Sequence, residues 1–202
     1  MPTIEYFYAA HSAYAYLGSA KLMEIAREAG ATIIHRPNDL RKVVPAAGST
    51  PTGERTKAHR AYFFGREIQR WSEERNAPVV DGMPTYHYND ITLPNCFLIA
   101  AMEAGNNIDQ LAHAFLEAHW RDDADLADAP TLVKLAKQCG LDGEAILAAS
   151  SNATIAAKYA EYTQDAIDRS VFGSPTYFVD GDMFYGQDRL ELVARALKQP
   201  YK

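Results

Sequence analysis

Cysteine is scarce in this chain: Cys96 and Cys139 are the only two, and they form no Cys-x-x-Cys pair. Without that spacing there is neither a dithiol redox motif nor a zinc knuckle. Nor do the six histidines fall at any metal-ligand spacing. Long apolar runs are missing too. The longest, Cys96 to Met102, is far too short to span a bilayer. The start, MPTIEYFYAA, lacks the basic stretch and apolar core of a secretory signal. Positive charge is in deficit, with a formal net charge of −6, which argues against a general nucleic-acid or anionic-membrane binder but leaves room for a local basic pocket. These absences imply a cytoplasmic protein with two buried thiols. Cys139 fits that expectation, because it continues the apolar face of Leu132, Leu135 and Ala136 just before a helix-stopping Gly140.

What is present is ordinary globular material: 202 residues, 48% apolar and 23% charged, enough for one large domain or a domain with an insertion. Thr3 to Ala9 reads as a strand. Ser12 is a good helix N-cap, and Leu22, Ile25, Ala26 and Ala29 follow at helical spacing until Gly30. Thr32 to His35 is a second strand. Strand, helix and strand at this spacing predict a parallel βαβ unit with a right-handed crossover. After Arg36 the pattern changes. Gly48 to Gly53 is a polar loop, and then helix dominates. Phe64, Ile68 and Trp71 mark one face; Ile108, Leu111, Ala112 and Phe115 mark another; Leu132 to Cys139 marks a third. Pro78 to Leu93 looks irregular. Asp142 caps a short helix, and Ile155, Tyr159, Tyr162 and Ala166 mark a longer one ending near Phe172.

The stretch GSPTYFVDG, Gly173 to Gly181, brings strands back. Thr176 to Val179 is β-branched or aromatic, Asp180-Gly181 is a hairpin turn, and Asp182 to Tyr185 returns. Leu190, Val193, Ala194 and Leu197 form a last amphipathic helix. The order βαβ, many helices, ββα predicts an α/β fold: a thioredoxin-like core from residues 1–40 and 170–202, with a large all-helical insertion over 41–169. A proline cannot donate to a sheet ladder, so Pro175 belongs at the first position of its strand. In such a core that proline is cis and faces the N-terminus of the first helix, leaving the Ser174 backbone as a ledge for a peptide ligand.

The segments FYAAHSAYAYLGS, GREIQRWSE and VFGSPTYFVDGDMFYGQDRLELV resemble 2-hydroxychromene-2-carboxylate isomerases, relatives of kappa-class glutathione transferases within the DsbA-like thioredoxin-fold group. The resemblance spans nearly the whole chain and is most specific at the C-terminal segment. It implies glutathione as cofactor, an aromatic or electrophilic small-molecule substrate, and a homodimer. It also implies that Ser12, standing where redox relatives carry cysteine, donates a hydrogen bond to the glutathione sulfur. From the residue alone, Ser12 is equally a plain helix cap. A hydrogen bond to a charged group contributes about 1.5–3 kcal/mol, or about one to two pKa units. Much of the gain in thiolate is offset by the fall in nucleophilicity with pKa, so holding the sulfur in place should matter more than ionising it.

The same resemblance places Ser174 and Pro175 against the cysteinyl unit of glutathione, and Gln187 and Asp188, at the start of the last helix, against its γ-glutamyl end. Asp188-Arg189-Leu190-Glu191 also reads as a capping box. Arg60 stands where the family usually shows lysine; it would bind the glycine carboxylate of glutathione or a substrate carboxylate, or be a solvated helix arginine. His11, Ser49 and Phe63 are candidate substrate contacts, with Ser49 at a common asparagine position. Ala9 and Ala13 replace the aspartate and proline often found around the serine. The expected reaction is a glutathione-dependent isomerisation through reversible thiolate addition. The alternatives are conjugation by a kappa-type transferase and a non-catalytic glutathione or peptide binder. A DsbA-like oxidoreductase lacks its first cysteine.

Overall fold

A computed structural model of the chain describes residues 1–202, with every side chain except that of Thr52. The sheet comes from the two ends of the chain. β1 (Thr3–Tyr8) and β2 (Thr32–Pro37) pair in parallel, and β3 (Thr176–Val179) and β4 (Asp182–Tyr185) form an antiparallel hairpin, giving the order β2-β1-β3-β4. Asp180 and Gly181 both take positive φ, at 50° and 86°, the geometry a two-residue hairpin turn of this hand requires. β1 is buried on both faces. Tyr6 and Tyr8 stack at 4.1 Å on one face, with Tyr177 of β3 continuing the stack at 5.4 Å from Tyr6. Phe7 meets Phe178 on the other. Two layers of helix cover these faces, as a sheet without a solvated side demands.

The first layer holds α1 (Ala13–Ala29) and α10 (Leu190–Lys198). Ser12 caps α1 by accepting from the Ala15 N–H at 3.3 Å, and Gly30 ends it in the left-handed region at φ 59°. α10 buries Leu190, Val193 and Ala196. Between the strand pairs run α2 (Leu40–Ala46), α3 (Lys57–Arg60), a π-helical turn (Ala61–Arg66), α4 (Glu67–Glu74), α5 (Thr92–Glu103), α6 (Asp109–Asp122), α7 (Ala129–Gln138), α8 (Gly143–Ser150) and α9 (Ala153–Asp168). α2 and α9 cover the Phe7–Phe178 face through Val43 and Ala166. The result is an α/β, thioredoxin-like core of four strands carrying a helical insertion.

Most predicted elements are found close to their expected places, and the differences have physical causes. α5 escapes periodicity because it has none: Pro94 through Ala101 are all buried, so no polar face marks a turn of 3.6 residues. Leu93 belongs to this helix and not to the irregular stretch before it. α2 is short and carries Pro45 in its last turn. α9 stops at Asp168, short of Phe172. Cys96 is buried as expected, but Cys139 is only half-buried, since it sits at the C-cap of α7. No described helix is long and apolar enough to cross a membrane.

One buried side chain joins core and insertion. Asn95, fully sealed in α5, accepts from the Ala10 N–H at 3.0 Å and donates to the Asn38 carbonyl (3.3 Å) and to the Tyr159 hydroxyl (3.2 Å). It holds the loop after β1, and hence the start of α1, against α5 and α9.

Candidate functional site

Ser12 lies where β1 turns into α1, at the positive end of that helix. Its hydroxyl donates to the Ser174 carbonyl at 3.2 Å while accepting from Ala15. The Ser174 hydroxyl in turn accepts from the Ala9 N–H at 3.2 Å. The Ser174–Pro175 peptide bond is cis, and the Pro175 carbonyl accepts from the Gly186 N–H at 3.0 Å. Three predicted site residues, Ser12, Ser174 and Pro175, therefore meet in one seam. Ser174 is half-buried and Ser12 is only 7% exposed.

Gln187 and Asp188 follow in a 3₁₀ turn (Gln187–Arg189) that leads into α10. Here the structure adds one buried contact and corrects one expectation. The Gln187 side chain is buried, and its Oε1 accepts from Arg75 Nε at 3.1 Å. Arg75 also reaches the Gln187 carbonyl (3.3 Å) and pairs with Glu191 (3.0 Å), while its guanidinium lies over the Trp71 ring. Gly18 makes this packing possible, since a Cβ there would stand 2.6 Å from the Gln187 Cβ. What the turn can offer a ligand at Gln187 is backbone. The capping box is absent as well: neither the 3₁₀ turn nor α10 receives a side-chain cap. Asp188 is exposed, paired with Arg189 at 3.0 Å. Its carboxylate folds back over Gly186, where a Cβ would collide with it.

The opposite wall comes from the insertion. Tyr14, two residues past Ser12, donates its hydroxyl to the Phe63 carbonyl at 2.5 Å and packs its ring 4.9 Å from that of Phe63. Phe63 lies in the π-helical turn, an irregularity that is frequent at functional sites. Burial pushes the Tyr14 hydroxyl up, and the negative charges of Glu67 and Asp188 add to this, so it stays a neutral donor. Arg55 lies over Phe63 and Phe64, at 5.4 and 5.6 Å, and donates to the Thr50 carbonyl at 2.9 Å. Arg60 is exposed and donates to the Arg55 and Gly53 carbonyls, so it also braces this loop. Arg60, Lys57, Phe64, Met83 and Tyr88 border a cavity of about 330 Å³. A larger surface hollow of about 600 Å³ between α7 and α8 contains none of these residues. Ser49 sits in the turn that closes α2, its N–H bonded to the Val44 carbonyl. Among the described residues no hydrogen bond joins its side chain to Ser12 or Ser174.

His11 lies in the turn between β1 and α1, next to Ser12 in the chain, and its ring keeps company that sequence spacing hid. Its ring is 4.8 Å from His87, of the irregular stretch before α5, and 6.4 Å from His119 of α6. His87 Nδ1 and His119 Nε2 are 3.1 Å apart, and His119 Nδ1 is 3.0 Å from the Ala124 carbonyl. Trp120 Nε1 donates to the His11 carbonyl at 2.8 Å. Among the described residues no group of three or more His, Cys, Asp or Glu could hold a metal ion.

A seam of helix start, Ser12 and the strand that opens at Pro175 is the layout of a known domain, and the model of the DSBA-like thioredoxin domain matches residues 3–198. The chain belongs to this family. It is 28% identical to a 2-hydroxychromene-2-carboxylate isomerase from Sphingobium xenophagum over 200 residues, which is 95% of each chain. Among solved structures it is similar to a 2-hydroxychromene-2-carboxylate isomerase (TM-score 0.80, 24% identity, covering 98% of this chain and 95% of the other). It is also similar to the cytosolic disulfide reductase DsbM from Pseudomonas aeruginosa with GSH (TM-score 0.64, 20% identity, covering 98% and 93%). The similarity to the isomerases supports the resemblance first read from the three segments.

Arg75, Tyr14, Arg55 and the pair His87–His119 were not found from sequence. Tyr14 carried the best signal, because it shares the first turn of α1 with Ser12. The histidines carried none, being far apart along the chain and joined only by the fold.

Proposed function

We propose that the protein is a cytoplasmic, glutathione-dependent isomerase acting on 2-hydroxychromene-2-carboxylate-like aromatic substrates. The observation that carries this reading is the Ser12–Ser174 seam. It is a thioredoxin-type site with a hydroxyl where a thiol would stand, and Cys96, the cysteine nearest in character to a core thiol, is sealed inside α5. A site that offers a hydrogen-bond donor and no sulfur suits a sulfur brought by its ligand.

The residues present fit glutathione. Ser12 would donate to the sulfur, giving up its bond to the Ser174 carbonyl. The Ser174 backbone would pair with the cysteinyl unit. Asp188, free of any capping duty, would hold the γ-glutamyl ammonium, and the N–H groups that open the 3₁₀ turn would take the neighbouring carboxylate. The chemistry supplied by bound glutathione is a thiolate that adds reversibly to the substrate's conjugated double bond and so frees it to rotate. The chain's own part is orientation, worth about 7–11 kcal/mol in favourable cases. Tyr14 and Phe63 supply aromatic surface, and Lys57 with Arg60 supplies positive charge for a carboxylate at the mouth of the cavity. The relatives named as isomerases and the DsbM structure with GSH support this assignment.

The test is direct. Purified protein is given 2-hydroxychromene-2-carboxylate with and without glutathione, and the ultraviolet spectrum is followed to the ring-opened trans product. Turnover that needs glutathione and regenerates it is expected. A stable conjugate would turn the reading to a transferase, and binding without turnover on any electrophile would leave a binding module. We also propose a homodimer, for which sedimentation at two concentrations is the measurement.

A further inference from the structure

The hydrogen-bond chain behind His11 fixes which nitrogens carry protons. The Ala124 carbonyl can only accept, so His119 Nδ1 carries its hydrogen at 3.0 Å. In a neutral ring His119 Nε2 is then bare, and His87 Nδ1, 3.1 Å away, must donate to it. His11 differs from both. Its Nδ1 is sealed from solvent and has no partner, whereas Nε2 is not sealed. An orphaned buried N–H is rarer and more costly than an under-used acceptor. The hydrogen of neutral His11, the residue before Ser12, therefore belongs on Nε2, the nitrogen that is not sealed.

The surroundings keep the ring neutral. Burial lowers the pKa of His11 well below the ordinary histidine value, and His87, His119 and the Arg41 guanidinium add repulsion. Arg41 approaches from α2 and is pinned by the Tyr88 and Asn89 carbonyls at 3.1 and 2.8 Å. Burial takes His87 to about 4. His119 is lowered by burial as well, although the Ala124 carbonyl, Asp123 and Asp125 pull the other way. Position is equally constrained. Trp120 holds the His11 backbone, the Trp120 carbonyl accepts from the Val80 N–H at 2.7 Å, and Asp123 accepts from the Thr85 N–H and hydroxyl, both at 2.7 Å. His87 is thus set against His11 by the same two stretches of chain that hold His11 in place.

We propose that His11 is a catalytic residue, a neutral Nε2–H donor to the keto oxygen of the ring-opened substrate, with His87 and His119 as the positioning residues behind it. This rests on the isomerase reading and deepens it. A 2-hydroxychromene is a cyclic hemiketal, and opening it leaves a keto group conjugated to the double bond that must rotate. Lowering the order of that bond moves its π electrons onto the keto oxygen; restoring the bond returns them, and no proton is gained or lost. A donor aimed at that oxygen stabilises the charge as it develops. A neutral imidazole does so without giving its proton away.

The tests use the full-length protein. Nitrogen-15 NMR of the ring in the ligand-free protein should show His11 neutral and protonated at Nε2 from pH 8 down to pH 5. Benzylidenepyruvate, an aryl α-keto acid that cannot close to a chromene, should shift that Nε2–H. His11→Phe should weaken its binding by up to about tenfold, the loss of one neutral hydrogen bond, and lower kcat/KM on the chromene carboxylate by about 10²–10³-fold. His11→Gln keeps an N–H and should recover most of both. Glutathione affinity should be the same in all three proteins. A ring protonated at Nδ1 or charged at neutral pH, or wild-type analogue binding in folded His11→Phe, would overturn the proposal. If the wild-type protein binds glutathione yet turns over no chromene carboxylate, the isomerase reading falls, while ring tautomer and analogue binding still decide the donor.

Discussion

On the core side of the site, Ser12, Ser174 and Gln187 are buried or half-buried, and each is tied to backbone or to Arg75 by hydrogen bonds. On the insertion side, Arg55, Arg60 and Phe63 are half-buried or exposed on short helical turns, braced by stacking and by loop carbonyls. The first wall is built from backbone geometry and tolerates little change. The second is built from side chains laid on a loop, and can be altered without touching the sheet. The constant part of a two-component reaction suits the first wall and the variable part suits the second. In this protein the proposed cofactor faces the core and the proposed aromatic substrate faces the insertion.

The seam between the two walls is the place to break that arrangement. His11, His87 and His119 join the turn before α1, the irregular stretch before α5, and α6 there, and all three are held below the ordinary histidine value by burial. A histidine whose folded pKa is depressed binds its proton more readily when unfolded. Stability is therefore fully present above about pH 6.5 and is lost as pH falls towards about 4, the value for His87. The slope is about 1.4 kcal/mol per pH unit for each proton taken up. Glu5 is held low by its hydrogen bond to Arg169, so its contribution is lost only below the usual glutamate range. Urea unfolding between pH 7 and 4 should show this early loss, and His87→Phe should flatten it. A stability level down to pH 4.5 would mean that the three rings are not buried together.

Asn95 tests the same boundary from inside the insertion. Asn95→Ala removes three buried hydrogen bonds and strands the Ala10 N–H. A loss of about 3 kcal/mol is expected, since a single buried group left unsatisfied costs about 1–3 kcal/mol. Chemical denaturation measures it. A change below about 1 kcal/mol would show that the loop before Ser12 is not held from α5.

Asp188 separates ligand binding from stability. It gives no cap in the structure and pairs only with exposed Arg189, so Asp188→Asn should leave the melting temperature of the ligand-free protein nearly unchanged. If it holds the γ-glutamyl ammonium, glutathione affinity should fall by about 1.5–3 kcal/mol. Calorimetric titration of both proteins decides it, and equal affinities would remove Asp188 from the site.

The two walls also differ in how far they could be read beforehand. Ser12, Gly30, the Asp180-Gly181 turn and Pro175 are legible because local backbone geometry selects those residue types. The order of elements then brings the chain ends into one sheet. The insertion wall has no such local code. α5 is apolar all round, the π-helical turn has no motif, and Arg55 becomes part of the site only because Phe63 happens to lie under it. Asp188 shows the opposite failure: its sequence reads as a capping box, yet the helix begins in a 3₁₀ turn in which the carboxylate makes no cap and pairs with Arg189 instead. The inward turn of the Gln187 side chain has no local code either, because its partner Arg75 is far away in sequence.

Ser12 gives the smallest effect and the sharpest division of roles, because it both caps α1 and faces the proposed sulfur. Ser12→Ala removes the acceptor for the Ala15 N–H, which should cost about 0.5–2 kcal/mol of stability. It also removes the donor to the Ser174 carbonyl. Both losses belong to the ligand-free protein and would follow from a purely structural role. The functional role adds a second readout. With glutathione bound, the hydroxyl would favour thiolate over thiol, so its removal should raise the pKa of the bound thiol by about 1–2. Ultraviolet titration of the thiolate in both complexes measures this apart from folding. A thiol pKa unchanged beside a lowered melting temperature would leave Ser12 as a helix cap, and the core wall would then hold glutathione through the Ser174 backbone and Asp188 alone.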